Sequence, residues 1–197
     1  MKRVISCLVV VLLLSGCESL PFARELEATM LVQVLGVDWT QEGVTLTAAS
    51  DPGTGGGNGK TAVLSASGVD LAQAKAALQG AGEEYVALTH VTQLVLGAQT
   101  DLTAVLEAAL EEPALGQGAT VWVAADGTAK ELLEGAGGGA KRLSSIELNG
   151  GVKLITVLQG LMRMEEERQI ELPQLTLKEK QLVVDGMKQI GEGTNGA

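Results

Sequence analysis

Two rhythms of apolar and polar positions run along this chain. Residues 28–39 carry Met30-Leu31-Val32-Gln33-Val34-Leu35-Gly36-Val37, too continuously apolar for a strand with one wet face, so the run predicts a buried central strand. Thr40-Gln41-Glu42-Gly43 has turn chemistry, and Val44-Thr45-Leu46-Thr47-Ala48 alternates with period two, which predicts a β-hairpin. Residues 51–59 are glycine-rich and read as an exposed loop, after which 62–66 resume strand character. Asp70 is a suitable N-cap for a helix to about Gln79 that places Leu71, Ala74 and Leu78 on one face. Residues 91–96 predict a further strand. Leu102, Val105, Leu106, Ala109 and Leu110 then form an amphipathic helical stripe, capped by Thr100 or Asp101 and stopped by Pro113.

Residues 119–124 read as strand and 128–134 as a short helix. Gly135-Ala136-Gly137-Gly138-Gly139 has linker composition. Beyond it Asn149 is read as the cap of a longer helix over 151–167. Leu154, Val157, Leu158 and Leu161 make its core stripe, and Val152, Ile155 and Met162 widen the apolar surface. Such width implies deep burial or a partner, and Val152, Ile155 and Met162 are taken as a partner-binding surface. Leu172-Pro173 closes that region. Two short strands follow, at 175–177 and 182–184. The fold class is therefore α+β, a mixed β-sheet with packed helices followed by a smaller helical and β-rich second subdomain. The division is an N-terminal domain over 28–134, a linker over 135–141, a second subdomain over 142–190 and a frayed tail over 191–197.

The first residues follow a different logic. Lys2 and Arg3 precede an apolar run over 4–14 with only Ser6 as a polar interruption, and Ser15-Gly16-Cys17 follow. This is a secretory signal over 1–16, too short for an ordinary membrane span. Leu14-Ser15-Gly16-Cys17 resembles a bacterial lipobox, which implies that Cys17 is acylated and begins the mature chain, with 17–27 as a lipidated tether. Two acyl chains, at about 0.8 kcal/mol per buried methylene, hold where one is marginal. Cys7 leaves with the signal, so no disulfide is expected.

Charge then narrows the partners. The chain carries a formal charge of −10, and loses two cations with Lys2 and Arg3. That acidity argues against nucleic acid and against a polybasic grip on anionic lipid, leaving membrane attachment to the lipid. Phe22, Trp39, Tyr85 and Trp122 are the whole aromatic set, too few for a stacking platform.

Candidate chemistry is sparse. Gly59-Lys60-Thr61 suggests a phosphate loop, but position 54 is Thr where that motif needs Gly, and strand rather than helix follows. His90 is the only histidine and has no ligand partners at a recognisable spacing. Ser65, Ser67, Ser144 and Ser145 stand in no nucleophile-elbow context. Glu165-Glu166-Glu167 point in different directions on a helix and cannot converge as an acid–base pair. No catalytic residue, metal ligand or cofactor is assigned.

Several further segments stand in a recognisable order: Cys17 with Arg24-Glu25-Leu26, Leu35-Gly36-Val37-Asp38, and Val44-Thr45-Leu46-Thr47. Leu88-Thr89-His90-Val91-Thr92-Gln93-Leu94-Val95-Leu96-Gly97 and Ala124-Ala125-Asp126-Gly127-Thr128-Ala129-Lys130-Glu131-Leu132-Leu133 follow, then Leu172-Pro173 and Val184-Asp185-Gly186. Together they resemble the Ger(x)C family, the lipoprotein C subunits of spore germinant receptors. The resemblance covers most of the mature chain but only the N-terminal region of a typical member. It implies a non-enzymatic lipoprotein held on the outer face of the spore inner membrane. Its implied partners are integral-membrane germinant-receptor subunits, one of them transporter-like. The alternative expectation is a surface lipoprotein that captures a small solute directly, with the 51–59 loop as a lid.

Overall fold

The apolar runs become the middle of a sheet buried on both sides. The computed structural model describes residues 29–50, 62–111, 116–149, 154–166 and 169–190. Their first half holds β1 Thr29–Leu31, β2 Val34–Thr40, β3 Gly43–Ser50, β4 Ala62–Gly68, α1 Leu71–Gln79, β5 Tyr85–Ala87, a 3-10 turn Leu88–His90 and β6 Gln93–Leu96. The second half holds α2 Leu102–Glu111, β7 Thr120–Ala124, α3 Ala129–Ala136, α4 Ala140–Asn149, α5 Val157–Glu165, β8 Ile170–Lys178 and β9 Gln181–Ile190. Seven strands join in the order β4-β3-β2-β6-β7-β8-β9, while β1 pairs with β5 separately.

Strands β2, β6, β7 and β8 are parallel, and the hairpins to β3–β4 and to β9 add antiparallel flanks. A parallel centre needs cover on both faces, which is why its residues are apolar without alternation. Leu35, Val37, Leu94, Leu96, Val121 and Val123 pack toward Ala74 and Leu78 of α1, Val105 and Ala109 of α2, and Val157 and Leu161 of α5. Their neighbours Val34, Val95, Trp122 and Ala124 pack on the other face, toward Leu132 and Leu133 of α3 and Leu143 of α4. The architecture is α+β with a mixed sheet, as the pattern predicts. Gly36 belongs to this geometry: a Cβ there would meet Leu133 Cδ1 at 2.9 Å and Ala129 Cβ at 3.2 Å, so any larger residue would have to displace the Leu133 side chain where α3 lies on β2.

Four expectations change. The run over 28–39 is two strands, because Val32 N–H turns away to Ala87 O and Gln33 O accepts from both Thr92 and Gln93. Residues 135–141, read as a linker, are instead the end of one helix, a tight turn and the start of the next. Gly137, at φ 64°, ends α3 with its N–H on Glu134 O, α4 starts at Ala140, and both helices cover one face. β8 then pairs with β7, so one sheet runs through both halves of the chain. Pro173 lies inside β8, beside a register shift to Leu175, a position where a strand tolerates proline.

The fourth change concerns the helix expected over 151–167. Helix α4 instead runs to Asn149, and α5 starts only at Val157. Between them the chain takes a place in the sheet: Val121 N–H donates to Ile155 O, Val157 N–H to Ala119 O, and Thr156 pairs with Thr120. Leu154 packs with the α3–α4 face and Ile155 with the opposite one, so the chain passes from one side of the sheet to the other here. Cys17, the 51–59 loop, Val152 and the 191–197 tail lie outside the described residues.

Candidate functional site

Helix α5 begins on a reciprocal cap. Thr156 N–H donates to Gln159 Oε1 at 3.0 Å, and Gln159 N–H donates to Thr156 Oγ1 at 3.3 Å. With that start fixed, Val157, Gly160 and Leu161 face inward, while Leu158 and Met162 face solvent at 45% and 56% exposure. These two are four residues apart and stand on one side of the helix. Ile155, expected on this surface, is only 1% exposed and belongs to the core, because its backbone is paired to β7. Leu158 takes its place beside Met162.

A second cluster forms where β2, β6 and β7 end. Asp38 is buried at the end of β2, and Ala129 N–H donates to its Oδ1 at 2.7 Å and Lys130 N–H to its Oδ2 at 3.1 Å. The remaining free donors of the α3 start are met locally. Glu131 N–H reaches Thr128 Oγ1 at 3.1 Å, and Thr128 N–H reaches Glu131 Oε2 at 2.9 Å. A helix start leaves four N–H groups without intrahelical partners, and all four are accounted for here. Gly97 presses on Asp38 so closely that a Cβ would overlap Oδ1. Ala98 N–H donates to Gly127 O, Lys188 Nζ donates to Ala98 O, and Thr100 Oγ1 donates to Val37 O while accepting from Trp39 N–H. Segments 35–38, 88–97 and 124–133 thus meet at one corner. Burial pushes the Asp38 carboxyl above its ordinary range, and the donors at Ala129 and Lys130 pull it part of the way back. The Thr128 backbone N–H, then its hydroxyl, hold the Glu131 carboxyl below its ordinary range.

At the opposite ends of the same strands a polar chain crosses the α3–α4 side of the sheet. Trp122 Nε1 donates to Gln93 Oε1 at 2.5 Å, and Gln93 Nε2 donates to Glu147 Oε2 at 2.8 Å. Thr120 Oγ1 donates to Glu147 Oε1 at 2.6 Å. Trp122, Gln93 and Thr120 are buried, so a carboxylate on α4 docks that helix by satisfying groups that would otherwise lack water. Among the described residues no buried side-chain nitrogen or oxygen lacks a partner.

The residues weighed for catalysis are spread apart. Ser65 and Ser67 share hydrogen bonds with Thr47 and Thr45 at 3.0 and 2.8 Å. His90 is exposed at the end of the 3-10 turn, and Glu166 is exposed beyond α5. Among the described residues no group of three or more His, Cys, Asp or Glu side chains could hold a metal ion, and no helix is long and apolar enough to cross a membrane. What this arrangement offers is a hydrogen-bonded frame with an apolar pair on α5. Sequence reasoning passed over Asp38 and the Gln93–Trp122–Glu147 chain. Gln93 carried the one available hint, an amide within an apolar strand.

Residues 23–177 match the family described as the spore germination protein N-terminal domain. No curated protein and no solved structure matches the chain.

Proposed function

Because the chain belongs to the spore germination protein N-terminal domain family, we propose that it acts in germination as a membrane-attached, non-enzymatic subunit that works through contacts with other proteins. The family match over residues 23–177 carries this reading. It begins shortly after Cys17, where the lipobox resemblance puts a diacylglyceryl anchor, so the folded unit follows the lipid with only a short tether. Anchoring of that kind places the chain on the outer face of the spore inner membrane. Confinement there raises the effective concentration around integral-membrane germinant-receptor subunits, one of them transporter-like, so a small contact suffices.

Leu158 and Met162 are the proposed contact. Each side chain gains at most about 1.5–3 kcal/mol when fully buried, and both already keep roughly half of their surface in water for a partner to cover. Replacing both by Asp leaves the inward stripe of Val157 and Leu161 untouched. The double variant should melt like the wild type yet fail to co-purify with membrane partners and slow germination of spores that carry it. Normal germination by a folded double variant overturns the contact. Cys17→Ala tests the anchor independently: the protein should leave the membrane fraction, and its retention there overturns lipid attachment.

A further inference from the structure

The two edges of the seven-stranded sheet are built differently. An edge strand offers unpaired backbone donors and acceptors, and proteins blunt such edges with charges, irregular register or proline. β9 is blunted: it carries Asp185 and Lys188, and its pairing slips where Pro173 gives way to Leu175. β4 is not. Its seven residues, Ala-Val-Leu-Ser-Ala-Ser-Gly, contain no charge and no proline. Its register with β3 runs unbroken from Ser50↔Ala62 to Val44↔Gly68, and no described strand lies on its outer side.

We propose that two copies of this chain pair edge to edge through β4, antiparallel about a two-fold axis at Ser65. Charge selects a second copy as the occupant. A molecule at −10 repels its own copy over most orientations, so the face that can meet itself is one without net charge. Residues 62–79, which span β4 and α1, hold Asp70 and Lys75 as their only charges, one of each sign. The strand is also complementary to itself. The two-fold register sets Leu64 opposite Ala66 of the second copy, Val63 opposite Ser67, and Ser65 opposite Ser65, keeping each face of the sheet continuous across the axis. Hydroxyl pairs of that kind already join β4 to β3 at Thr47–Ser65 and Thr45–Ser67. Val69, just past the strand, is 72% exposed. On α1, Ala72, Gln73, Ala76 and Ala77 face outward, so little bulk stands between helices brought together on the same sheet face.

The register makes the test specific. Directly opposed residues in an antiparallel pair have Cα atoms about 4.5–5.5 Å apart, within the span that a disulfide bridges. In detergent-solubilised protein under mild oxidation, Ser65→Cys should shift from monomer to dimer mobility, with wild type as background. Ser67→Cys alone should stay at background, because its copies lie about 13 Å apart along the strands. Mixing Ser67→Cys with Val63→Cys should restore the dimer. Ser65→Cys at background overturns the proposal, as does crosslinking by Ser67→Cys alone to the same extent. A crosslink to a chain of different mass would identify a strand from another protein and overturn the assignment to a second copy. The substitution of Ser by Cys is close to isosteric, and the mixed pair reads the register without touching Ser65.

Discussion

Asp38→Ala would remove the carboxylate that hydrogen-bonds the end of β2 to the start of α3. Two backbone donors, Ala129 N–H at 2.7 Å and Lys130 N–H at 3.1 Å, would lose a carboxylate acceptor in a buried or part-buried setting. A hydrogen bond to a charged group contributes about 1.5–3 kcal/mol net. Relief of the cost of burying the carboxylate offsets part of the two bonds, so the expected loss is about 2–4 kcal/mol. In a chain of this size that lowers Tm by roughly 5–15 °C. Urea denaturation should show a lower midpoint at unchanged slope. Thr128→Ala, which removes only the local cap from the same helix, should cost about 1 kcal/mol. pH gives a second handle. Burial raises the folded Asp38 pKa, so as pH rises from the unfolded value the unfolded chain releases a proton that the folded chain still holds. Stability from this group is therefore present below the unfolded pKa and is lost as pH rises through the folded one. The gap between wild type and Asp38→Ala should narrow as pH climbs from below the ordinary aspartate range to well above it. A loss smaller than that of Thr128→Ala, or a gap that widens with pH, refutes the reasoning.

Two further outcomes test the frame. Glu147→Ala leaves Gln93 Nε2 and Thr120 Oγ1 without their acceptor, which should cost about 1–3 kcal/mol for each group left unpaired and alter Trp122 emission; Glu147→Gln should recover some of this, and an unchanged urea midpoint for the Ala variant would show that α4 docks without the carboxylate. At the β8–β9 turn Glu179 and Lys180 both adopt left-handed conformations, with φ of 52° and 63°. Hairpin turns of that type favour glycine, so Lys180→Gly should raise stability by about 0.5–1 kcal/mol, and a lower Tm would count against strain at the tip.

How legible each feature was follows from the range of the forces that make it. Local forces act within a few residues and write themselves into neighbouring positions. The amphipathic stripe of Leu102, Val105 and Ala109, the cap at Asp70 and the alternation of β3 all lie where the sequence puts them. The same holds for the family segments, whose order along the chain points to the family that the match over residues 23–177 shows. The helix expected over 151–167 failed because its apolar spacing is shared by a bridge residue, Ile155, and by the helix after it, and only the empty position beside β7 distinguishes them.

What the chain alone determined is the set of buried runs, the acidic surface and the membership of a germination family. Tertiary structure decided the rest: that Asp38 caps a helix 91 residues onward, that glycines at 135–139 turn the chain between two helices on one face, and that Leu158 rather than Ile155 stands beside Met162. Each of those depends on which strand lies next to which, and pairing between segments far apart in sequence leaves no periodic trace in either of them.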